Sequence, residues 1–213
     1  MIFALLPVKE PAQAKQRLRA LLKPEDREEL ARLMYQDVLQ TLCAAGGIDR
    51  VAVVTSDARA AAHARRAGAL VFEESEQRGH SHSADAGARH AMTLGAATVL
   101  LAPIDVPLVT VAEIEELAAR ARPGVVIVPS SDGTGTNALL RTPPDVIESR
   151  FGPGSFEAHL TQARERGVPA EVARPEGLMF DIDTPEDVAR LLARAPECRV
   201  GRFLQGLRCP SGS

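Results

Sequence analysis

Charged residues in this chain stand just past short apolar runs, where an α/β protein holds side chains that act on a ligand. Lys15 follows the run Ile2 to Val8, with Lys9 ahead of it and Arg17 two residues on. A triphosphate needs fixed positive charge where negative charge moves onto departing pyrophosphate, and a basic residue beyond a strand supplies it. Asp105 follows Thr98 to Ala102 and is held between Pro103 and Pro107. Magnesium takes one or two carboxylates plus phosphate oxygens and water, so a carboxylate fixed at a strand end suits it. Asp181 and Asp183 lie in the stretch Phe180 to Asp187. Strand alternation predicts them on one face, where a second carboxylate could share the metal. Each position also has a plainer reading: a solvated loop for Lys15, a turn for Asp105, and for Asp183 a helix start, which acidic residues stabilise anyway.

Two glycine-rich loops follow, Ser131 to Asn137 and Phe151 to Phe156. They offer backbone amides and hydroxyls, the second at the start of a helix whose positive end attracts phosphate or carboxylate. Together they describe a pocket for a small anion. No GxxxxGK[ST] is present and no GxGxxG follows the first strand, so two nucleotide-binding classes drop out. The letters Asp181-Ile182-Asp183-Thr184 also match a phosphatase nucleophile motif of the haloacid-dehalogenase type. That motif belongs on an early strand, whereas only 30 residues follow Asp183. The five histidines, His63, His80, His82, His90 and His159, show no triad or metal-ligand order and read as surface residues. His80 and His82, in a Gly/Ser loop, are the two placed to touch a nucleotide.

The elements that must position these groups alternate between strand and helix. The opening MIFALLPVKEPAQAK has too short an apolar stretch, and no basic region before it, to be a leader, and reads as a first strand. Helices are predicted near 27–45, 58–67 and 82–94, with strands at 51–55, 70–72 and 98–102. Thr110 and Glu113 form a capping box opening a helix to about 121, and 125–128 is the next buried strand. Beyond Pro129 the chain is expected to run through the glycine loops, a helix and two short strands near Glu171 and Met179. Thr184 and Pro185 then open a last helix. The expected fold is a single three-layer α/β domain with a mostly parallel sheet over residues 1–195, a nucleotide-binding half (1–125) and an acceptor-binding half (126–195), then a loose tail (196–213). In such sheets ligands bind beyond the carboxyl ends of the strands.

At 213 residues, 45% of them apolar, the chain can bury one sizeable core. A net charge of −3 with both signs interspersed, and 3% aromatic residues without tryptophan, argue against a nucleic-acid partner. No apolar run approaches membrane-spanning length, so no membrane partner and a cytoplasmic location are expected. Three widely spaced cysteines make no disulfide framework or zinc site. The apolar first long helix offers a surface for a homodimer.

Taken in order, Pro7-Val8-Lys9, Ala14-Lys15-Gln16-Arg17-Leu18, Asp105-Val106-Pro107, Asp132-Gly133-Thr134-Gly135-Thr136-Asn137-Ala138-Leu139, Phe151-Gly152 to Ser155-Phe156 and Asp181 to Asp187 resemble the 2-phospho-L-lactate or phosphoenolpyruvate guanylyltransferase family of coenzyme F-420 biosynthesis. The resemblance covers about residues 1–195. It implies a fold similar to nucleotide-sugar pyrophosphorylases, GTP as donor, magnesium as cofactor and a small phosphorylated carboxylate as acceptor. It further implies that Thr136, Gly152 and Ser155 hold the acid, Asp105 and Asp183 the metal, and Pro7, Lys9, Lys15, Gly79 and His80 the nucleotide. Lys15, Arg17 and Asp105 are the catalytic set. Where many members have Gly-Leu-Asn-Ala-Ala, this chain has Gly79-His80-Ser81-His82-Ser83-Ala84. Phosphoenolpyruvate, 2-phospho-L-lactate and 3-phospho-D-glycerate all present one phosphate and one carboxylate. The Ala/Arg-rich, high-GC composition favours the bacterial substrate, phosphoenolpyruvate. Competing readings are a non-catalytic nucleotide-binding module, a cytidylyl- or molybdopterin-type transferase, and a nicotinamide oxidoreductase, the last lacking its glycine fingerprint.

Overall fold

The apolar runs become strands whose alternate side chains feed two different cores. The computed structural model describes residues 1–9, 15–74 and 79–208. Strands β1 (Ile2–Val8), β2 (Arg50–Thr55), β3 (Leu70–Glu73), β4 (Thr98–Leu101), β5 (Gly124–Pro129), β6 (Thr136–Thr142) and β7 (Ala170–Val172) form one sheet, in the order β3-β2-β1-β4-β6-β5-β7. Only β6 runs antiparallel to its neighbours, β4 and β5; the other pairs are parallel. Helices α1 (Pro24–Ala44), α2 (Ala58–Arg66), α3 (His80–Thr93), α4 (Val111–Ala118), α5 (Ser155–Glu165), α6 (Glu176–Met179), α7 (Pro185–Arg194) and α8 (Arg199–Arg208) complete the described elements.

Ala4, Leu6, Val53, Leu100 and Val126 pack with residues of α1, α2 and α4 on one face of the sheet. Phe3, Leu5, Val54, Leu101 and Ile127 pack with α3 and α5 on the other. This is the period of two expected of strands covered on both faces. The α3 layer is close because its inner face is small: Ala84, Gly87, Ala88 and Ala91 are all buried. A Cβ on Gly87 would stand 2.7 Å from Val54 Cγ2, so glycine at this point lets the helix settle onto β2.

Three local expectations change. Residues near Met179 form the one-turn helix α6 rather than a strand, and Asp181 to Asp183 lie outside the sheet. Thr136, read as part of a polar loop, instead begins β6. The tail is not loose over 199–208: Val200 and Leu204 of α8 are buried against Leu30, Met34, Val188 and Leu191, and Arg199 donates to Asp37 at 3.0 Å. The spacing of Val200, Phe203 and Leu204 is the helical i, i+3, i+4 signal that supports this packing. The apolar residues of α1 are themselves buried in the fold, which uses up the surface that suggested a homodimer. No described helix is long and apolar enough to cross a membrane. Cys43 and Cys198 are free thiols, and Cys209 lies outside the described residues.

The topology decides where a ligand can enter. Chain order reverses between β1 and β4, and ligands of such sheets bind at that reversal, beyond the carboxyl ends of the strands. Here the two strands also part. Their ladder ends at Leu5 opposite Leu101, and the last tie is Ala102 N–H to the Leu5 carbonyl at 3.0 Å. Pro7, two residues on, has its missing N–H on that same edge, where no ladder bond is lost.

Candidate active site

A cleft of about 1830 Å³ opens at this parting of the strands. Pro7, Lys9, Lys15, Arg17, Gly79, His80, Asp105, Thr136, Gly152, Ser155 and Asp183 all line it, so the fold gathers every residue singled out from the sequence. They do not contribute alike.

At the centre Lys15 Nζ donates to Asp105 Oδ2 at 2.6 Å and to Asp183 Oδ1 at 2.7 Å. The three residues come from the loops after β1 and β4 and from the segment ahead of α7. Each is placed by a local device. Lys15 has φ 54° and ψ 41°, the one left-handed non-glycine conformation among the described residues, at the head of a 3-10 turn over Gln16–Leu18. Such a conformation costs about 1–2 kcal/mol, and the two ion pairs offset it. Asp105 is tied down through its own carbonyl, which accepts from Ile182 N–H at 3.0 Å and so draws the Asp183 segment alongside. Asp183 N–H donates to Asp187 Oδ2 at 3.1 Å, within the Thr184–Asp187 capping box that opens α7. Burial pulls the Lys15 ammonium down, but the charges of Asp105 and Asp183 and their hydrogen bonds lift it above the ordinary lysine value. Burial pushes the Asp105 carboxyl up, and the Lys15 charge and hydrogen bond hold it below the usual carboxylate range nonetheless.

Arg17 is peripheral. It is largely exposed and approaches Asp183 only to 4.0 Å. Asp181 does not join Asp183. It accepts from Asn137 Nδ2 at 3.2 Å, and Asn137 also donates to the Leu178 carbonyl at 2.9 Å, pinning β6 to the chain before α7. Burial raises the Asp181 carboxyl, opposed by the Asn137 bond. Ala14, part of the Lys15 motif, lies outside the described residues.

The opposite wall has one charged turn, around Asp132, and neutral groups beyond it. The Ser130–Gly135 turn closes on itself: Ser130 hydroxyl and Thr134 N–H donate to Asp132 Oδ1 at 2.6 and 2.9 Å, and Gly135 N–H donates to Ser130 Oγ at 2.8 Å. The Ser130 bond and then the Thr134 amide hold Asp132 down to about 2. Beyond this turn Thr136 N–H donates to Ser155 Oγ at 2.8 Å, and Thr136 Oγ1 meets His159 Nδ1 at 3.0 Å. Ser155 is the first residue of α5, not its cap; the cap is Gly154 at φ 73°, without a side-chain bond.

The histidines are where sequence reasoning falls short. His159 is fully buried, and burial, then the Arg141 charge, lowers it to about 4. His80 heads α3; burial, then Lys9, lowers it to about 4 against the raising pull of Asp105. Phe151 stands edge-on to both rings, at 4.8 Å from His80 and 5.5 Å from His159, and its N–H donates to Ser81 Oγ at 2.9 Å. The Gly79–Ala84 segment is thus stapled to the Phe151 loop. One signal could have found His159: with Phe156, Leu160 and Ala163 it falls on the inner face of α5.

This geometry places a cation between two carboxylates on one side of the cleft and two hydroxyls on the other. Comparison with known proteins gives the family. The model of the family described as guanylyl transferase CofC like matches residues 2–210. The phosphoenolpyruvate guanylyltransferase of Sphaerobacter thermophilus is 40% identical over 194 residues, 91% of this chain and 93% of that protein. The 2-phospho-L-lactate guanylyltransferase of Methanothermobacter thermautotrophicus is 31% identical over 208 residues, 96% of this chain and 90% of its own length. A crystal structure from Desulfovibrio desulfuricans G20, described as a nucleotide-diphospho-sugar transferase, superposes with a TM-score of 0.78 at 16% identity, covering 97% of this chain and 95% of that one.

Proposed function

Because the chain belongs to the guanylyl transferase CofC like family, we propose that it transfers GMP from GTP to phosphoenolpyruvate, giving enolpyruvyl-diphospho-guanosine and pyrophosphate, a step of coenzyme F-420 biosynthesis. The observation that carries this reading is the convergence of Lys15 on Asp105 and Asp183 at the sheet reversal, facing Thr136 and Ser155 across the cleft. Phosphoenolpyruvate is preferred over 2-phospho-L-lactate because the bacterial relative named for it is the more similar of the two compared, 40% against 31% identical.

Residue types here suit a reaction without a general base. The phosphate of the acid has a second pKa of about 6 and is already an anionic nucleophile at neutral pH. One of its oxygens bonds to the α-phosphorus of GTP while the bond from that phosphorus to the β-phosphate bridging oxygen breaks, and pyrophosphate leaves with the electron pair. The protein's work is to hold two anions together in line. Lys15 and Lys9 offset charge on the triphosphate, with Pro7, Gly79 and His80 forming its bed. Arg17, exposed at the rim, serves the outer phosphates. Thr136, Ser155 and the Gly152 turn hold the acid.

Magnesium fits the same centre. Asp105 and Asp183 already share one cation, the Lys15 ammonium, and two carboxylates plus phosphate oxygens and water form a normal magnesium set. When bound, the metal supplies charge neutralisation to the reacting phosphates. With both carboxylates engaged elsewhere, the Lys15 ammonium would be available to a phosphate.

A pyrophosphate-release assay crossing four nucleoside triphosphates with phosphoenolpyruvate, 2-phospho-L-lactate and 3-phospho-D-glycerate tests the reading. The expected result is release with GTP and phosphoenolpyruvate above all other pairs. Release with CTP but not GTP, or with GTP and none of the acids, would overturn it.

A further inference from the structure

One of the two hydroxyl residues lining the cleft, Thr136, is set by a residue that does not line it. His159 Nε2 lies 2.9 Å from the backbone N–H of Arg150. An amide N–H can only donate, so Nε2 must be the unprotonated nitrogen. The single proton of the neutral ring is then on Nδ1, and the 3.0 Å contact with Thr136 Oγ1 has His159 as donor and Thr136 as acceptor. Thr136 therefore keeps its hydroxyl proton for another partner, and among the described residues it has none. Ser155 is in the same condition: its Oγ accepts the Thr136 N–H, and its own proton is unassigned. Both residues line the cleft. With the ring donating at Nδ1, the Thr136 hydrogen is free to point at an anion; in the other tautomer Nδ1 would accept that hydrogen and leave only lone pairs for the ligand.

We infer that His159 is a positioning residue that fixes the Thr136 hydroxyl as a hydrogen-bond donor toward the acceptor acid. The inference rests on the acceptor-site reading above, and it adds a specificity: the site favours an acid whose contacting group is a pure acceptor, a phosphate or carboxylate, over one presenting a hydroxyl or amide. The burial that holds the imidazole near 4 keeps this tautomer neutral at working pH. The same ring also ties the loop before Gly152 through Arg150, so orientation of the hydroxyl and shape of the glycine turn are set by one side chain.

Two near-isosteres separate the two bonds. His159→Asn places an amide NH₂ near Nδ1 and keeps a donor for Thr136 while losing the acceptor for Arg150; His159→Gln places its amide near Nε2 and does the reverse. Each leaves one buried group unpaired, so both should melt earlier than the parent. The glutamine variant should lose more acid affinity than the asparagine variant, by roughly tenfold in the calorimetric dissociation constant and KM for phosphoenolpyruvate, with kcat and the GTP constant nearly unchanged. Equal acid constants in the two variants would overturn the inference. So would an Nε2–H tautomer in the ¹⁵N imidazole spectrum of the unmodified protein, a reading that needs no substrate. A parent protein that binds none of the three acids, yet shows the Nδ1–H tautomer, would instead sink the acceptor reading, and the donor role would fall with it.

Discussion

The two walls of the cleft are built by opposite means. On the wall proposed for the nucleotide three charged residues from distant parts of the chain, Lys15, Asp105 and Asp183, meet with no neutral partner between them. On the wall proposed for the acceptor Thr136, Ser155 and His159 come from one strand and the helix after it, carry no charge, and are joined by hydrogen bonds through Thr136. The difference follows from what each side must do. Two anions can approach only if charge is cancelled, and cancellation needs ions that can exchange partners as the triphosphate enters. Choosing one small acid among several needs fixed donors, and those are cheapest to fix by local, neutral bonds.

If that division is right, the largest effects come from the charged wall. Asp105→Asn should lower kcat for pyrophosphate release by on the order of 10²–10³ at saturating magnesium, the loss typical of a missing transition-state charge contact. Asp183→Asn should follow it. Unchanged turnover in either variant would remove that residue from the centre. Lys15→Ala should raise KM for GTP more than KM for the acid, and it should leave two carboxylates facing each other without their cation. Its melting temperature should then rise more on adding magnesium than that of the parent; an equal rise would mean that Lys15 does not occupy the metal's place.

Smaller effects belong to the neutral wall. Thr136→Val or Ser155→Ala removes one bond to a charged ligand group, about 1.5–3 kcal/mol, so acid affinity should weaken roughly tenfold to a hundredfold with GTP affinity intact. A shift in both constants would erase the distinction between the walls. Smaller again in activity is Gly87→Ala. The added Cβ falls 2.7 Å from Val54 Cγ2, and overpacking of this kind costs about 1–3 kcal/mol. Each kcal/mol lowers the melting temperature of a chain this size by roughly 2–4 °C. No change in melting would mean that α3 does not sit this near β2.

The charged wall was the more legible in the sequence. Lys15 and Asp105 lie in the loops that follow apolar strands, and Asp183 directly before a helix with Thr cap and N1 proline, so each stood at a boundary the sequence marks. Strand alternation over Asp181 to Asp183 misled, because the segment is held by single bonds to Asp105 and Asn137 rather than by a ladder. The neutral wall was half hidden. Thr136 and Ser155 could be named only through the resemblance, since a hydroxyl in a glycine loop is an ordinary turn residue by type. His159 could not be assigned, because its role depends on which nitrogen meets the Arg150 amide, a fact of tertiary geometry. The packed α8 was missed for another reason: its proline, glycine and serine surroundings outweighed the helical spacing of Val200 and Leu204.

The smallest effect expected of the acceptor wall is in its pH dependence, where the enzyme itself should contribute nothing. His159 and His80 are held to about 4 and Asp132 to about 2, so none of these three changes charge between pH 5 and 8. Thr136 and Ser155 do not titrate. Acid affinity over that range should therefore follow one ionisation, that of the ligand's own phosphate near about pH 6. Stability, by contrast, should respond to His159. Its folded pKa lies below the ordinary 6.5, so between about 4 and 6.5 the unfolded chain binds the proton and the folded chain does not. The sign makes stability rise with pH through that window and fall on acidification. His80 contributes in the same sense, so His159→Asn should reduce, not abolish, the slope of melting temperature against pH from 4 to 6.5, and a parent-like slope would place the titrating group elsewhere. A second ionisation in acid binding, absent from the ligand and lost in His159→Asn, would show that His159 protonates at working pH, and the neutral wall would then be a charged one.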